Sequence, residues 1–349
     1  MSSRFFRAAL YFPSFLLEPQ RFFSYEGWRN KMTMNWNRRR FIETSALATA
    51  SMAVIGNAFA AKAPAKVTFV DCHTHIYDPT RPQGVPWPPR EEGRLYRPVL
   101  PSHLRKVSAK HRVAGTIVVE ASEWLADNDW VLEHAAKDKF ILGFIGRLAL
   151  DDPEFERHLR RLSRNPLFRG IRVRGAASPK AVEKEAERAL QLLADFNLTL
   201  DFNCLPTQLP IAAQLAKQNP RLRIVINHLA NVTIDGKAPP AFWVDAMKAV
   251  AEKERVFLKV SGLVEGTRRD DFRAPRELDY YRPVLDAATD IFGVNRLIFG
   301  SNYPVSELFA PYDTVIGLIS QYFGEKGPET LSLVAAENSR RAYLWKDRK

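Results

Sequence analysis

Residues 69–79, FVDCHTHIYDP, end an apolar run with two histidines spaced two apart, His73 and His75. In an extended strand this spacing puts both side chains on one face, about 6.6 Å apart along the chain, where they can converge on one ion. A third histidine, His228, closes another apolar run, RIVINHLAN. Neutral imidazoles grouped in this way suit zinc or a similar divalent ion, which polarises a carbonyl and acidifies a bound water. A lone H-x-H pair is more often a hydrogen-bonded structural feature. The third histidine at a second strand end makes a metal or catalytic site the stronger reading.

Such residues meet only if the fold brings strand ends together. Eight β-rich runs alternate with helical patterns, over residues 67–77, 114–122, 140–150, 168–175, 198–204, 223–229, 256–263 and 296–303. Helical stretches include 179–196 and 240–254, and two more, 306–323 and 328–344, follow the last run. This alternation predicts a parallel sheet, and eight units predict a (β/α)8 TIM barrel with extra C-terminal helices. An open doubly wound sheet is the other option, but no glycine-rich phosphate loop follows the first run. In a barrel, catalytic groups sit at the C-terminal strand ends. His73, His75 and His228 all fall there.

Other polar residues share those ends. Asp201 alternates with Thr199 and Asn203 against Leu198, Leu200 and Phe202, and Glu120 ends the second run. Arg172 and Arg174 share one face of the fourth run, as Lys259 and Ser261 do in the seventh. Arginine forks grip carboxylates, so Arg172, Arg174 and Lys259, with Glu120, are candidate substrate-binding residues for an acidic or sugar ligand. Each also fits a structural ion pair. Tyr77, Trp87 and Tyr96 lie in or beside the proline-rich loop 79–101, a candidate lid whose rings could stack on a substrate.

H-x-H in the first run, NHLAN in the sixth, FLKVSGL in the seventh and LIFGSNYPV in the eighth together resemble the amidohydrolase-related family of the amidohydrolase superfamily. The branch of sugar-lactone and 2-pyrone-4,6-dicarboxylate lactonases is the most similar. The resemblance spans nearly the whole chain after residue 60. It implies a metal-dependent-hydrolase-like barrel in which His73, His75 and His228 match metal or substrate-polarising positions, with one divalent ion, zinc first, or none. The implied reaction is opening of a small sugar or organic-acid lactone; the alternatives are decarboxylation of an aromatic or keto acid, or a binding protein that has lost catalysis. One position departs. The family pattern in the eighth strand ends F-G-S-D, and here Asn302 replaces the aspartate. An amide keeps the shape but cannot accept a proton near neutral pH. With Asn302 in the catalytic set, the base moves to Asp201, Glu120 or His228.

The net charge of +12 divides unevenly. Residues 1–60 hold eight Lys/Arg against three Asp/Glu, and the rest holds 43 against 36, interspersed as on an ordinary solvated surface. No nucleic-acid partner is implied. Two cysteines, Cys72 and Cys204, are too few for a disulfide framework. Residues 32–60 have the three parts of an export signal: Arg38-Arg39-Arg40-Phe41-Ile42 resembles a twin-arginine motif, an apolar stretch follows, and Ala58-Phe59-Ala60 offers a cleavage site. Residues 1–31 read as an N-terminal extension of uncertain origin, with Met32 and Met34 as natural starts. The expected product is a periplasmic barrel over 61–349, with no membrane anchor after cleavage. Replacing Arg38 and Arg39 by lysine should leave uncleaved precursor in the cytoplasm; normal periplasmic delivery of that variant, followed by immunoblotting of fractions, would refute the signal.

Overall fold

The computed structural model describes residues 67–174, 184–269 and 271–348. The extension and export signal expected over residues 1–60 lie outside the described residues. All eight expected strands form: β1 (Phe69–Thr74), β2 (Val113–Val119), β3 (Ile141–Gly146), β4 (Phe168–Arg174), β5 (Thr199–Asn203), β6 (Arg223–Ile226), β7 (Val256–Val260) and β8 (Leu297–Phe299). They pair in parallel in sequence order. The strands are buried on both faces because helices cover the outside, which is why they read as near-continuous apolar runs.

Between the strands lie α1 (Pro101–Ser108), α2 (Ala126–Lys137), α3 (Phe155–Leu162), α4 (Lys184–Asp195), α5 (Leu209–Gln218), α6 (Ala241–Ala251), the short α7 (Leu263–Gly266) and α8 (Leu278–Phe292). After β8 come α9 (Tyr312–Glu325), α10 (Pro328–Ser332) and α11 (Asn338–Tyr343). The fold is therefore a (β/α)8 barrel with added C-terminal helices. Two helices differ from the sequence expectation. The stretch 306–323 breaks into a 3-10 turn, Val305–Leu308, and α9, because Pro311 in the extended conformation caps α9 and keeps the preceding residue out of the helix. The stretch 328–344 carries a π turn over Leu333–Glu337.

Leu200 and Phe202 of β5, and Leu258 and Val260 of β7, face the helices. Val70, Cys72, Ile117, Val119, Val225, Phe257 and Ile298 fill the interior together with Ala342, Tyr343 and Trp345. Those last residues close the barrel end opposite the histidines. Arg223, at the start of β6, donates to the Ala342 carbonyl, and Arg169, in β4, donates to that of Leu344.

The barrel closes between β1 and β8. Thr74 and Tyr303 form a parallel bridge, the His75 N–H donates to the Tyr303 carbonyl (2.9 Å), and the Asn302 N–H donates to that of His73 (2.8 Å). Beneath this seam Asp71 is buried. Its Oδ1 accepts from the Ser301 N–H (2.8 Å) and its Oδ2 from the Tyr312 hydroxyl (3.0 Å). One side chain thus pins strand β1 to the start of the β8 loop and to α9. Leaving two buried donors unpaired costs about 3 kcal/mol. Asp71→Ala should lose roughly that much stability in urea unfolding, and a loss within about 0.5 kcal/mol would show that the seam does not depend on it.

Candidate active site

Two glycines let the histidines approach. A Cβ on Gly300 would lie 2.7 Å from the His73 Cβ, and one on Gly262 would lie 2.8 Å from the His228 Cβ. Gly262 has φ +65°, a conformation that glycine adopts without strain. His228 opens a turn in which four consecutive residues, His228 to Asn231, have left-handed φ between 52° and 55°. Such a run is costly for residues with a Cβ and is held by specific partners. Asn231 donates to Asn203 Oδ1 and to the Cys204 carbonyl (both 2.8 Å), and the Trp243 indole donates to the Leu229 carbonyl (3.0 Å).

The three imidazoles meet at the C-terminal mouth. The His73 ring lies 5.1 Å from that of His75 and 4.2 Å from that of His228. His73 is wholly buried, whereas His75 and His228 are 4% and 9% exposed, so these two face an incoming ligand. Burial, reinforced by neighbouring cations, pushes all three rings down: His73 and His228 well below the usual histidine value, and His75 to about 3. They are neutral at physiological pH. His228 Nδ1 pairs with the Ser261 hydroxyl (2.9 Å).

The remaining sequence candidates join the same network, largely as ion pairs. Arg172 Nε donates to Glu120 Oε1 (2.8 Å), and its Nη1 lies 3.4 Å from His73 Nε2. Arg174 reaches the same Glu120 oxygen at 3.4 Å, with 34% of its side chain exposed. Lys259, wholly buried, donates to Asp201 Oδ2 (2.6 Å) and lies 3.2 Å from His73 Nδ1. Asp201 Oδ2 also accepts from Asn227 Nδ2 (3.0 Å) and the Tyr343 hydroxyl (3.1 Å). Burial lowers the Lys259 ammonium and Asp201 opposes that shift. Asp201 and Glu120, two of the three expected bases, are thus counter-ions of cations beneath the rings.

Sequence reasoning missed Glu265. It lies on α7, five residues beyond the end of β7, where strand alternation no longer tells which way a side chain points. Asn302 Nδ2 donates to Glu265 Oε1 (2.7 Å), and Asn302 Oδ1 lies 3.3 Å from His75 Nε2. Glu265 Oε2 is buried without a partner. With no cation in reach among the described residues, burial pushes this carboxyl up to about 7. The one sequence signal was a glutamate just past the SGL turn that ends a barrel strand.

Of the loop aromatics, Trp87 borders the site, its ring 5.9 Å from that of His75. Tyr77 is buried, its hydroxyl donating to the Leu95 carbonyl, and Tyr96 instead lies under Arg90. Trp87 and Glu120 also line a pocket with Ile76, Ser122 and Trp130, which none of the three histidines lines.

The donor set fits a metal poorly in this arrangement. Among the described residues no three His, Cys, Asp or Glu side chains are grouped to hold an ion. Both His73 nitrogens face cationic groups, which leaves the outer nitrogens of His75 and His228, one fewer than the three protein ligands of a catalytic zinc.

Imidazoles, paired ions and an uncompensated carboxyl gathered at the C-terminal mouth of a (β/α)8 barrel define a barrel hydrolase. The chain belongs to the amidohydrolase family, whose model matches residues 70–345. It is similar to L-fucono-1,5-lactonase of Burkholderia ambifaria, with 31% identity over 244 residues, 68% of this chain and 81% of that one. Among solved structures, an amidohydrolase from Burkholderia multivorans with bound zinc covers 80% of this chain and 100% of its own, at TM-score 0.71 and 24% identity. A probable 2-pyrone-4,6-dicarboxylic acid hydrolase from Acinetobacter baumannii has the same coverage at TM-score 0.64 and 15% identity.

If Arg172 and Lys259 keep His73 from serving as a ligand, Arg172→Met should take up more zinc than the native protein after equilibration and dialysis. Equal uptake by elemental analysis would show that Arg172 does not control access to His73.

Proposed function

We propose that this protein is an exported lactonase that opens small sugar lactones by attack of water on the ring carbonyl. The observation that carries this reading is the neutral three-imidazole cluster at the barrel mouth with cations lodged directly behind it. The similarity to an L-fucono-1,5-lactonase supports the substrate class. Export rests on the twin-arginine pattern at Arg38 and Arg39.

The paired cations favour a neutral, hydroxyl-rich lactone over a polyacid. Arg172 is neutralised by Glu120 and Lys259 by Asp201, so neither has a free charge to offer a substrate carboxylate. Arg174 alone of the three projects part of its side chain to solvent. Trp87 beside His75 offers an apolar surface to a sugar ring, and the nearby nitrogens of His75 and His228 offer hydrogen-bond partners to its oxygens.

In the reaction a water oxygen bonds to the carbonyl carbon, and the carbonyl oxygen takes up negative charge. The N–H groups of Arg172 and Lys259, held within 3.4 Å of the His73 ring by Glu120 and Asp201, place fixed dipoles behind that oxygen without reorganising. Collapse breaks the bond from the carbonyl carbon to the ring oxygen, which leaves as a hydroxyl after taking a proton. The products are a carboxylate and a released proton. The histidines, held neutral, orient and hydrogen-bond rather than store that proton.

Incubation with a panel of sugar 1,5-lactones, followed by mass spectrometry, should show products heavier by one water. His228→Ala should lower kcat/KM by about 100-fold or more, the scale of a lost electrostatic contact to the reacting oxygen. Loss of carbon dioxide from an aromatic acid, or a rate no faster than spontaneous ring opening, would overturn the lactonase reading.

A further inference from the structure

The hydrogen bonds around His75 do not balance unless a proton is placed on Glu265. His75 Nδ1 lies 2.9 Å from the Val119 carbonyl oxygen, which can only accept, so Nδ1 carries the ring proton. The ring is neutral, which leaves Nε2 with a lone pair. That lone pair faces Asn302 Oδ1, a second acceptor, at 3.3 Å. The mismatch is imposed from the other side, because Glu265 Oε1 accepts from Asn302 Nδ2 at 2.7 Å. A half-turn of the amide exchanges its oxygen and nitrogen. Asn302 Nδ2 then donates to His75 Nε2, and Oδ1 is left to accept from a protonated Glu265. The contacts from Val119 through His75 and Asn302 to Glu265 Oε1 then each pair a donor with an acceptor, at the cost of one proton.

We propose that Glu265 is a positioning residue that switches the Asn302 amide between two orientations according to whether it holds a proton. With Glu265 protonated, His75 and Asn302 satisfy each other and close the site to water. With Glu265 ionised, His75 Nε2 and Asn302 Oδ1 form an adjacent acceptor pair. A water that donates one O–H bond to each keeps a lone pair free to attack a carbonyl carbon. The role of Glu265 follows from three features of its surroundings. It is buried, and among the described residues its Oε2 has no partner and no cation offsets it, in contrast to Asp201 with Lys259 and Glu120 with Arg172. The titratable groups that face it are Tyr281 from α8, whose hydroxyl donates to the Pro275 carbonyl, and His75 beyond Asn302. The 3-10 turn 305–308 brings Glu307, but that carboxylate is turned to Arg97. Burial without compensation pushes Glu265 up to about 7, which puts the switch within the physiological range. The effect on rate rests on the hydrolase reading; the proton on Glu265 and the amide reversal do not.

The test is nuclear magnetic resonance of the full chain, with carbon-13 in the glutamate carboxyls and nitrogen-15 in the asparagine amides. One glutamate carboxyl should titrate with a midpoint near 7, the Asn302 side-chain amide should shift with the same midpoint, and both changes should vanish in Glu265→Gln. A Glu265 carboxyl titrating near the ordinary value of about 4.3, or an Asn302 amide that stays still across neutral pH, would overturn the proposal. The native titration decides the matter even if the glutamine variant does not fold. With a turned-over lactone, log kcat/KM of the native protein should fall on the acid side of the same midpoint. In Glu265→Gln that limb should be absent and the rate lower by at least about tenfold, with KM little changed. A limb that persists in the variant would overturn the link to rate while leaving hydrolysis itself intact.

Discussion

The site depends on the seam where β1 meets β8. A barrel of parallel strands has one junction at which the first and last strands must find each other across the whole length of the chain. Here the ladder is short, a bridge at Thr74 and Tyr303 with backbone bonds from His75 and Asn302 on either side. Those same residues carry the chemistry. The backbone bond from Asn302 to His73 fixes where the Asn302 amide stands relative to the two histidines, and Gly300 lets the strands come close enough to form it. Asp71 anchors the seam from below, so barrel closure and site assembly are one event.

Above that seam, the electrostatics follow from burying many charges in one place. Burying a charge is tolerated only when it is paired and hydrogen-bonded, and the interior does this in pairs: Lys259 with Asp201, and Arg172 with Glu120. The two cations lie against His73 and, with burial, hold the imidazoles neutral. A neutral histidine can donate from one nitrogen and accept at the other, so its direction is set by its neighbours. The Val119 carbonyl sets it for His75, and Ser261 faces His228. Glu265, like Asp71 beneath the seam, escapes the pairing rule, and of these two carboxyls it is the one that contacts Asn302 and can change its charge beside the histidines.

Much of this was legible in the sequence. The eight strands stand out because parallel strands covered by helices are apolar on both faces, and a polar residue ends each one or follows within two positions. That pattern alone places His73, His75, His228 and Asn302 at one mouth. What the sequence withheld were pairings across the barrel. Glu120 and Arg172 come from β2 and β4, and Asp201 and Lys259 from β5 and β7; alternation says which face a residue takes but not which partner waits there. The cations therefore looked available to a substrate carboxylate when they were already neutralised. Phase also failed at β1, where the ladder to β2 is irregular between Asp71 and Thr74. Cys72 packs in the interior while His73, the next residue, also turns inward to Lys259. Glu265 was invisible for a different reason: it sits past the strand, on a short helical turn.

The replacement of aspartate by Asn302 can then be understood in terms of its neighbours. An aspartate at this position would sit 2.7 Å from Glu265, as the amide nitrogen does now, and two carboxyls so close in a dry pocket cannot both ionise. One would keep a proton at neutral pH. With asparagine the single acidic proton is moved one residue outward, to Glu265, and the group nearest His75 becomes an uncharged relay that can face either way. The position gives up a fixed negative charge. In a site where His73 already lies between Arg172 and Lys259, that charge would have competed for the same cations that stabilise a developing oxyanion. An amide leaves their field directed at the substrate, and the carboxyl behind it supplies the response to pH.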